Sequence, residues 1–278
     1  MWRNGPAAAA GLALHSGTAA TKTTVSHPHS PNLGRARCLL AWALLGAAPA
    51  GAGPLGEQLS FGCNLSVTTD YIYRGVSESN DHGALQGDLH LATRDGTFTG
   101  VWGSTRDSQL DPGGSYDVEL YLGHRFALGD SWSTTLSARG HYFGGGVFEP
   151  SADYQEVAAT LMYQDRWALS LTAVPNAVRY WFYLRLRRSP AWVADTTGQW
   201  LIAPGLYVTG GAGYYYSMGT GPGIEATASY AYGNVGLAYE WRRWRLDVGY
   251  FLTQADAAKL FPYPIADHRV AGTITWRF

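Results

Sequence analysis

The stretch LSFGCNLSVTTDYIYR, residues 59–74, alternates apolar and polar side chains almost without interruption. Successive side chains of a β-strand point to opposite faces, so a strand built on this stretch has one apolar and one polar face. The apolar face would carry the odd-numbered residues from Leu59 to Tyr73, and the polar face would carry the even-numbered ones. The alternation therefore predicts a strand over 59–73.

The same alternation recurs along the chain and predicts about 12 strands. They lie near 59–73, 84–93, 97–104, 116–127, 131–143, 153–164, 166–174, 191–202, 205–216, 229–241, 243–253 and 269–278. Many exceed the ~5–6 residues usual for soluble proteins and suit the ~9–11 residues that a tilted strand needs to cross a bilayer. If the stretch VRYWFYLRLRRS (178–189) formed a further strand, the number of strands would be odd. Bacterial single-chain barrels have an even number of strands. We therefore place this stretch in the long connection after the seventh strand.

The connections between the predicted strands alternate in length. Short turns lie at 94–97, 128–131, 164–166, 203–205 and 241–243, and long polar loops lie near 75–83, 106–115, 144–153, 217–228 and 254–267. Short turns at one end and long loops at the other are the arrangement of outer-membrane barrels. The predicted fold is therefore all-β, a transmembrane up-and-down antiparallel β-barrel over residues 53–278.

Residues 1–52 differ from the rest of the chain because they contain no Asp or Glu. Within them, Arg35 and Arg37 precede an apolar run over 38–48, and an A-x-A site ends at Ala52. A basic start, a short apolar run and a small-residue cleavage site are the pattern of a secretory signal peptide. We expect a targeting segment over 1–52, in which residues 35–52 are the signal peptide. Residues 1–34 would then lie upstream of the true translation start. The signal peptide predicts export through the secretory pathway.

The charge of the mature part excludes one class of partner. Cleavage after Ala52 removes four of the chain's 20 basic residues and leaves 16 against 21 acidic residues. Electrostatic nucleic-acid binders carry a basic face, so no nucleic-acid partner is expected. Cys63 is then the one remaining cysteine, and a single cysteine forms neither an internal disulfide nor a redox pair. The sequence predicts no cofactor and no metal site.

Alternation alone does not say which face of the barrel meets lipid. A lipocalin-like soluble barrel has an apolar interior, whereas a membrane barrel has a polar lumen and an apolar exterior. The mature part contains one lysine, Lys259, and its polar faces hold mostly Gly, Ser, Thr and isolated charges. Aromatic residues collect near the predicted strand ends, as in the girdles of membrane barrels. They are Tyr71, Tyr73, Trp102, Trp132, Tyr142, Trp167, Trp192, Trp200, Trp241, Trp244 and Trp276. We therefore expect the apolar faces to lie outside, in lipid.

Residues 66–104 carry three short motifs. They are D-Y-x-x-R-G-x-S-x-S from Asp70, A-L-Q-G-x-L from Ala84 and G-x-W-G-S from Gly100. In these motifs the chain closely resembles the TorF-type putative porin family. The resemblance implies an outer-membrane barrel that acts as a porin. It is specific in the first third of the mature part, and residues 176–190 do not resemble the family.

We predict a porin-like channel for passive diffusion of small polar solutes or ions, in contact with outer-membrane lipid and lipopolysaccharide. Fixed charges in a narrow pore set its ion selectivity, whereas paired charges would lock the lumen instead. The candidate pore-lining residues are the charged and His side chains of the polar faces. They are Asp70, Asp88, Asp117, Glu119, Arg139, His141, Glu156, Asp195, Arg245 and Asp247.

Two other functions remain open at this point. A barrel enzyme that modifies lipids would need catalytic side chains, for which His90, Ser137, His141 and Glu156 are available. Ser137 and His141 would lie ~13 Å apart along one strand, beyond hydrogen-bonding reach, so no catalytic residue is assigned. A non-conducting barrel with a structural or adhesive role would show the same alternation.

The chain ends on the alternating stretch VAGTITWRF, residues 270–278. An open strand edge cannot persist in hydrocarbon, so we expect this last strand to pair with the first one. Its apolar positions also resemble the signal by which the barrel-assembly machinery engages outer-membrane chains. These positions are Val270, Ile274, Trp276 and Phe278.

Overall fold

The computed structural model describes residues 59–107, 114–145, 152–181, 185–219, 228–261 and 265–278. The targeting segment expected over 1–52 lies outside these residues. The described chain forms a closed antiparallel barrel in which each strand pairs with its neighbours in sequence order, and the last strand pairs with the first. The predicted fold class is therefore confirmed, and the number of barrel strands is 12.

Numbered in chain order, the strands include a small separate hairpin, β2–β3. The barrel strands are β1 (Leu59–Thr68), β4 (Ala84–Thr93), β5 (Thr97–Thr105), β6 (Gly114–Ala127), β7 (Trp132–Gly145), β8 (Tyr154–Tyr163), β9 (Trp167–Trp181), β10 (Arg185–Ala203), β11 (Leu206–Ser217), β12 (Ala228–Trp241), β13 (Trp244–Thr253) and β14 (Arg269–Arg277). The hairpin consists of β2 (Ile72–Tyr73) and β3 (Val76–Ser77). A 3-10 helix, Ala255–Lys259, lies between β13 and β14. No helix in the described parts of the chain is long and apolar enough to cross a membrane.

The burial of side chains shows which face is the exterior. On the outer face, the exposed fraction is 62% for Leu122 and 66% for Val270, whereas Glu119 and Arg245 inside the barrel are 0% exposed. An apolar exterior around a polar lumen is the pattern of a membrane barrel and the reverse of a soluble one. The alternation in the sequence arises because each strand has one face toward each of these surroundings.

Most of the predicted girdle aromatics lie on the outer face. The exposed ones are Trp132, Tyr142, Trp167, Trp192, Trp200, Trp241 and Trp244. The prediction is wrong for Tyr71, Tyr73 and Trp102, which are buried inside the barrel. Trp102 belongs to the lumen face of β5, and the two tyrosines do not lie on a barrel strand at all.

The first strand is shorter than the alternation predicted, because β1 ends at Thr68. The hydroxyl of Thr68 donates a hydrogen bond to the carbonyl oxygen of Asp70 at 2.7 Å, which turns the chain away from the strand direction. Residues 69–83, here called the inward segment, then fold into the lumen instead of forming the end of a strand and a surface loop. Tyr71 and Val76 of this segment are at most 3% exposed.

The described residues of the stretch 178–189, which are 178–181 and 185–189, lie in two paired strands and not in a loop. They form the last part of β9 and the first part of β10, with Val178 paired to Arg188. The number of strands stays even because both halves extend strands that the alternation already predicts. A register irregularity lies between Ser189 and Ala191, around Pro190. Proline cannot donate to the strand ladder and is confined to edges and bulges, which explains why this stretch did not look like regular strand.

The C-terminal strand closes the barrel. Leu65 of β1 pairs with Trp276 of β14, and Val67 pairs with Ile274. The amide of Phe278 donates to the carbonyl oxygen of Cys63 at 3.0 Å, so the pairing continues to the last residue. Val270, Ile274 and Phe278 are exposed on the outer face.

Candidate functional site

The tip of the inward segment is a tight turn at Arg74 and Gly75. Both residues have a positive φ, 50° and 79°, as a two-residue type I′ hairpin turn requires. A Cβ atom on Gly75 would lie 2.7 Å from both Thr253 Oγ1 and Tyr232 Cβ, so glycine also fits the space. Thr253 Oγ1 donates to the carbonyl oxygen of Gly75 at 2.5 Å, and Tyr230 Oη donates to that of Arg74 at 3.1 Å. The tip is therefore bound to the wall formed by β12 and β13.

The base of the inward segment is held by Asp70. Its carboxylate accepts hydrogen bonds from Ser77 Oγ at 2.5 Å and Ser79 Oγ at 2.9 Å, and it pairs with Arg269 of β14 at 3.0 Å. Ser79 Oγ also accepts a hydrogen bond from the amide of Tyr71 at 2.8 Å. The residues of the D-Y-x-x-R-G-x-S-x-S motif thus build the inward hairpin and its anchor.

Arg74 reaches across the lumen to β8, which lies nearly opposite β1 in the barrel. Its two terminal nitrogens donate to the two carboxylate oxygens of Glu156 at 2.7 and 3.0 Å, and Tyr73 Oη donates to the same carboxylate at 3.1 Å. Bidentate pairs of this kind are among the stronger polar contacts in proteins. Burial opposes the charge of Arg74, but Glu156 and the neighbouring tyrosines outweigh it and hold the pKa of the guanidinium above its ordinary value.

Tyr71 attaches the inward segment to a third wall. Its hydroxyl donates to Asp117 Oδ2 at 3.3 Å, and its ring lies 5.3 Å from that of Trp102 on β5. Burial, followed by the charges of Asp117 and Glu119, raises the pKa of the Tyr71 phenol. The hydroxyl therefore stays protonated and available as a donor.

Five of the predicted pore-lining residues meet beside the inward segment and are here called the lumen cluster. They are Asp117 and Glu119 of β6, Arg139 and His141 of β7, and Glu156 of β8. All five are buried. The strand register explains the meeting, because Glu119 pairs directly with His141, and Arg139 pairs directly with Glu156. Arg139 Nη1 lies 3.0 Å from Glu119 Oε2 as an ion pair.

The remaining predicted residues lie elsewhere in the lumen. Asp88 accepts a hydrogen bond from Tyr121 Oη at 2.6 Å and lies beside His90, whose Nδ1 is 2.5 Å from the carboxylate. Asp195 accepts a hydrogen bond from Tyr232 Oη. The structure therefore separates these two carboxylates from the lumen cluster and gives them phenol and imidazole partners.

A second charged group lies near the short-turn end of the barrel. Arg245 donates to Asp247 at 2.7 Å and to Glu240 Oε1 at 2.9 Å, and Arg277 of β14 lies 3.3 Å from the same Glu240 oxygen. Two carboxylates and two guanidinium groups meet there. The charges within this group are therefore balanced.

The space that remains beside the inward segment is small. One cavity of about 50 Å³ lies between the segment and the wall, with Arg74, Tyr154 and Tyr230 among its lining residues. A second, of about 10 Å³, lies near Asp195 and Tyr232. A water molecule needs roughly 10–15 Å³ of such space, so the larger cavity holds only a few. The inward segment therefore occupies part of the lumen at the long-loop end, with these two small cavities beside it.

Two functional residues were missed or misplaced by the sequence reasoning. Arg269, which anchors Asp70, was not among the predicted residues, and Arg74 was expected directly after a barrel strand over 59–73 and not at the tip of an inward turn. The Arg74–Gly75 pair carried a usable signal, because glycine at the second position of a two-residue loop favours a type I′ turn. The predicted position of Asp70 on the first strand is likewise wrong, since this residue follows the end of β1.

Comparison with solved structures places the fold in a class. A NanC porin structure matches with a TM-score of 0.51 at 10% sequence identity, covering 78% of this chain and 98% of that one. A KdgM porin matches with a TM-score of 0.46 at 10% identity, over 78% and 98% of the two chains. The COG4313 outer membrane channel from Pseudomonas putida F1 matches with a TM-score of 0.45 at 12% identity, over 84% and 100%. The match to the NanC porin structure shows that the chain has the β-barrel fold of a porin.

Comparison of the sequence with family models says less about function than the comparison of folds does. Residues 52–179 match the model of a family described as "Bacterial protein of unknown function (Gcw_chp)". That range contains the inward segment and all five residues of the lumen cluster. The match does not confirm the TorF-type name. A search of curated proteins finds no match.

Proposed function

We propose that this chain is a porin of the Gram-negative outer membrane, through which small polar solutes or ions diffuse past the inward segment. The observation that supports the proposal most directly is the lumen face, which is lined by polar and charged side chains while the exterior is apolar. The polar interior of a membrane barrel is either a water-filled channel or a lumen that inserted loops or a helix fill to some degree, up to complete plugging. Residues 69–83 are an inserted loop of the second kind.

The distribution of charge supports a preference for cations. Three carboxylates of the lumen cluster face two guanidinium groups, Arg74 and Arg139, and the imidazole of His141, and the group around Arg245 is balanced, so the preference rests on carboxylates outside these two groups. Asp88 and Asp195 add two further carboxylates whose partners are phenol or imidazole groups. A ring of fixed negative charge favours cations in a narrow pore.

A planar lipid bilayer with a salt gradient tests the proposal. Protein that migrates as a folded barrel before heating should produce stepwise currents, with a reversal potential on the cation-selective side. Neutralising both of these carboxylates, as Asp88→Asn with Asp195→Asn, should move the reversal potential toward zero. Flat traces from folded protein would contradict the pore and favour a non-conducting structural barrel. A reversal potential that stays the same in the double variant would contradict the assignment of the selectivity to Asp88 and Asp195.

The lipid-modifying enzyme receives less support from the geometry. His141 lies inside the barrel, 1% exposed, between the carboxylates of Asp117, Glu119 and Glu156. Among the described residues, neither ring nitrogen of His141 is hydrogen-bonded to a nucleophilic hydroxyl. We therefore propose no catalytic role for it.

A further inference from the structure

The lumen cluster contains polar atoms that are buried without hydrogen-bond partners. Within the described chain, Glu119 Oε1 and both ring nitrogens of His141 make no hydrogen bond, and neither does Asp117 Oδ1, whereas Glu119 Oε2 is ion-paired with Arg139. Glu119 is 0% and His141 is 1% exposed. Buried polar groups are nearly always hydrogen-bonded, and leaving them unpaired is costly in a medium of low dielectric constant. The concentration of such atoms at one point indicates that a bound group satisfies them.

The distances between these atoms identify the kind of group. His141 Nδ1 lies 3.4 Å from Glu119 Oε1 and 3.7 Å from Asp117 Oδ2, too far for good hydrogen bonds. Two ligands bound at ~2.1 Å to one tetrahedral metal ion lie about 3.4 Å from each other. One ligand atom from each of the three residues lies within 4.8 Å of the others. The separations therefore fit ligands of a common metal ion better than a hydrogen-bonded network.

We propose that Asp117, Glu119 and His141 form a binding site for a divalent transition-metal ion such as Zn²⁺, inside the lumen. One imidazole nitrogen and two carboxylate oxygens suit such ions, and three protein ligands leave a coordination position open. This site is independent of the proposed pore. A non-conducting barrel would bind the ion equally well.

The surroundings of His141 support the assignment of Nδ1 as the ligand atom. The other ring nitrogen, Nε2, faces Glu156 but lies 3.8 Å from its Oε1, beyond hydrogen-bonding distance, so the two groups are neighbours that a small rotation would bring into contact. Histidine ligands usually direct their second nitrogen at a carboxylate or a carbonyl group, which fixes the ring and its tautomer. Glu156 is itself held by Arg74 of the inward segment. The inward segment thus orients the carboxylate that would support the metal ligand.

Arg139 sets a limit on the affinity. Its guanidinium group pairs with Glu119 Oε2, which leaves Oε1 directed at His141. The positive charge nevertheless repels a nearby cation. We therefore expect binding in the micromolar range of dissociation constants rather than the tighter range of closed structural zinc sites.

Titration of the purified, folded full barrel with Zn²⁺ by calorimetry, and with Co²⁺ by visible absorption, tests the site. The variants His141→Ala and Glu119→Gln should each weaken binding at least 10-fold, and Co²⁺ bound to wild-type protein should show the absorption of a low-coordinate N/O site. His90→Ala is the matched control, because His90 also lies beside a carboxylate in the lumen; it should bind as wild type does. Migration before and after heating shows that each variant is folded.

Two results would overturn the proposal. One is wild-type protein that binds neither ion at millimolar concentration. The other is binding that persists unchanged in folded His141→Ala, or that is lost in His90→Ala instead, because either outcome would place the ion elsewhere.

Discussion

Replacement of Arg74 by alanine should release the tip of the inward segment from the opposite wall. In the wild-type barrel the guanidinium group makes two hydrogen bonds to Glu156, and both side chains are 6% exposed. Removing one partner of a buried ion pair costs about 3–5 kcal/mol, because the other charge stays buried and unpaired. A free-energy change of ~1.4 kcal/mol corresponds to a tenfold change in an equilibrium constant. The lower end of this cost, about 3 kcal/mol, would therefore raise the population of the released segment roughly 100-fold.

Hydrogen exchange with mass spectrometry measures this release directly, because local opening sets the exchange rate of amides in a segment. Peptides covering 69–83 should exchange roughly 100-fold faster in Arg74→Ala, while those of β6 to β8 keep their protection. Single-channel conductance should rise in the same variant if the segment limits the pore. Arg125→Ala is the control, since it breaks an arginine–aspartate pair 2.5 Å long at the short-turn end, away from the segment.

The double variant Arg74→Ala with Glu156→Gln separates the ion pair from other effects. It removes the unpaired charge, so its exchange over 69–83 should be slower than that of Arg74→Ala alone. Unchanged exchange of 69–83 in Arg74→Ala would refute the reasoning. So would an equal acceleration across all strands, because that would show global destabilisation and not release of one segment.

Three further predictions concern the turn, the exterior and the closing strand. Gly75→Ala should destabilise the inward hairpin by about 1–3 kcal/mol, because a Cβ would meet Thr253 and Tyr232 in a backbone of positive φ; exchange over 69–83 as slow as wild type would contradict this. Leu122 lies on the outer face and is 62% exposed, so Leu122→Arg should lower the free energy of unfolding in lipid by ~2–4 kcal/mol. Urea titration in vesicles measures this loss, with Leu122→Ile as the control. An arginine variant as stable as the isoleucine control would argue against lipid contact at this position. Deletion of Phe278 should lower the yield of assembled barrel in cells more than the conductance of the barrels that do assemble; normal yield would remove its role as an assembly signal.

The alternation predicted the barrel well because the two-residue period is a local property. Each strand needs only its own residues to show which side chains face lipid. Nine of the ten candidate pore-lining residues lie on the lumen face of a strand for the same reason, whereas Asp70 lies in the inward segment. Their grouping was not predictable, because the meeting of Glu119 with His141 depends on the register between β6 and β7, and that register is fixed by the whole sheet.

The inward segment escaped prediction because its residues continue the alternation by coincidence. Tyr71 and Tyr73 occupy the odd positions that are apolar in β1, so they read as part of a lipid-facing strand. In the structure their rings are buried and their hydroxyls bind Asp117 and Glu156. Aromatic side chains with a polar tip suit both a membrane interface and a polar lumen, and composition does not distinguish the two.

The inward segment has two kinds of attachment, and this difference determines how it can move. Its base is bound through Asp70 to its own serines and to Arg269 of the neighbouring strand β14, a local anchor. Its tip is bound to distant walls by Arg74, Tyr230 and Thr253. Loss of a tip contact leaves the base intact, so the segment would pivot about Asp70 and remain in the mouth of the barrel. A wider lumen is therefore reached by moving a few residues near Arg74, without unfolding any strand.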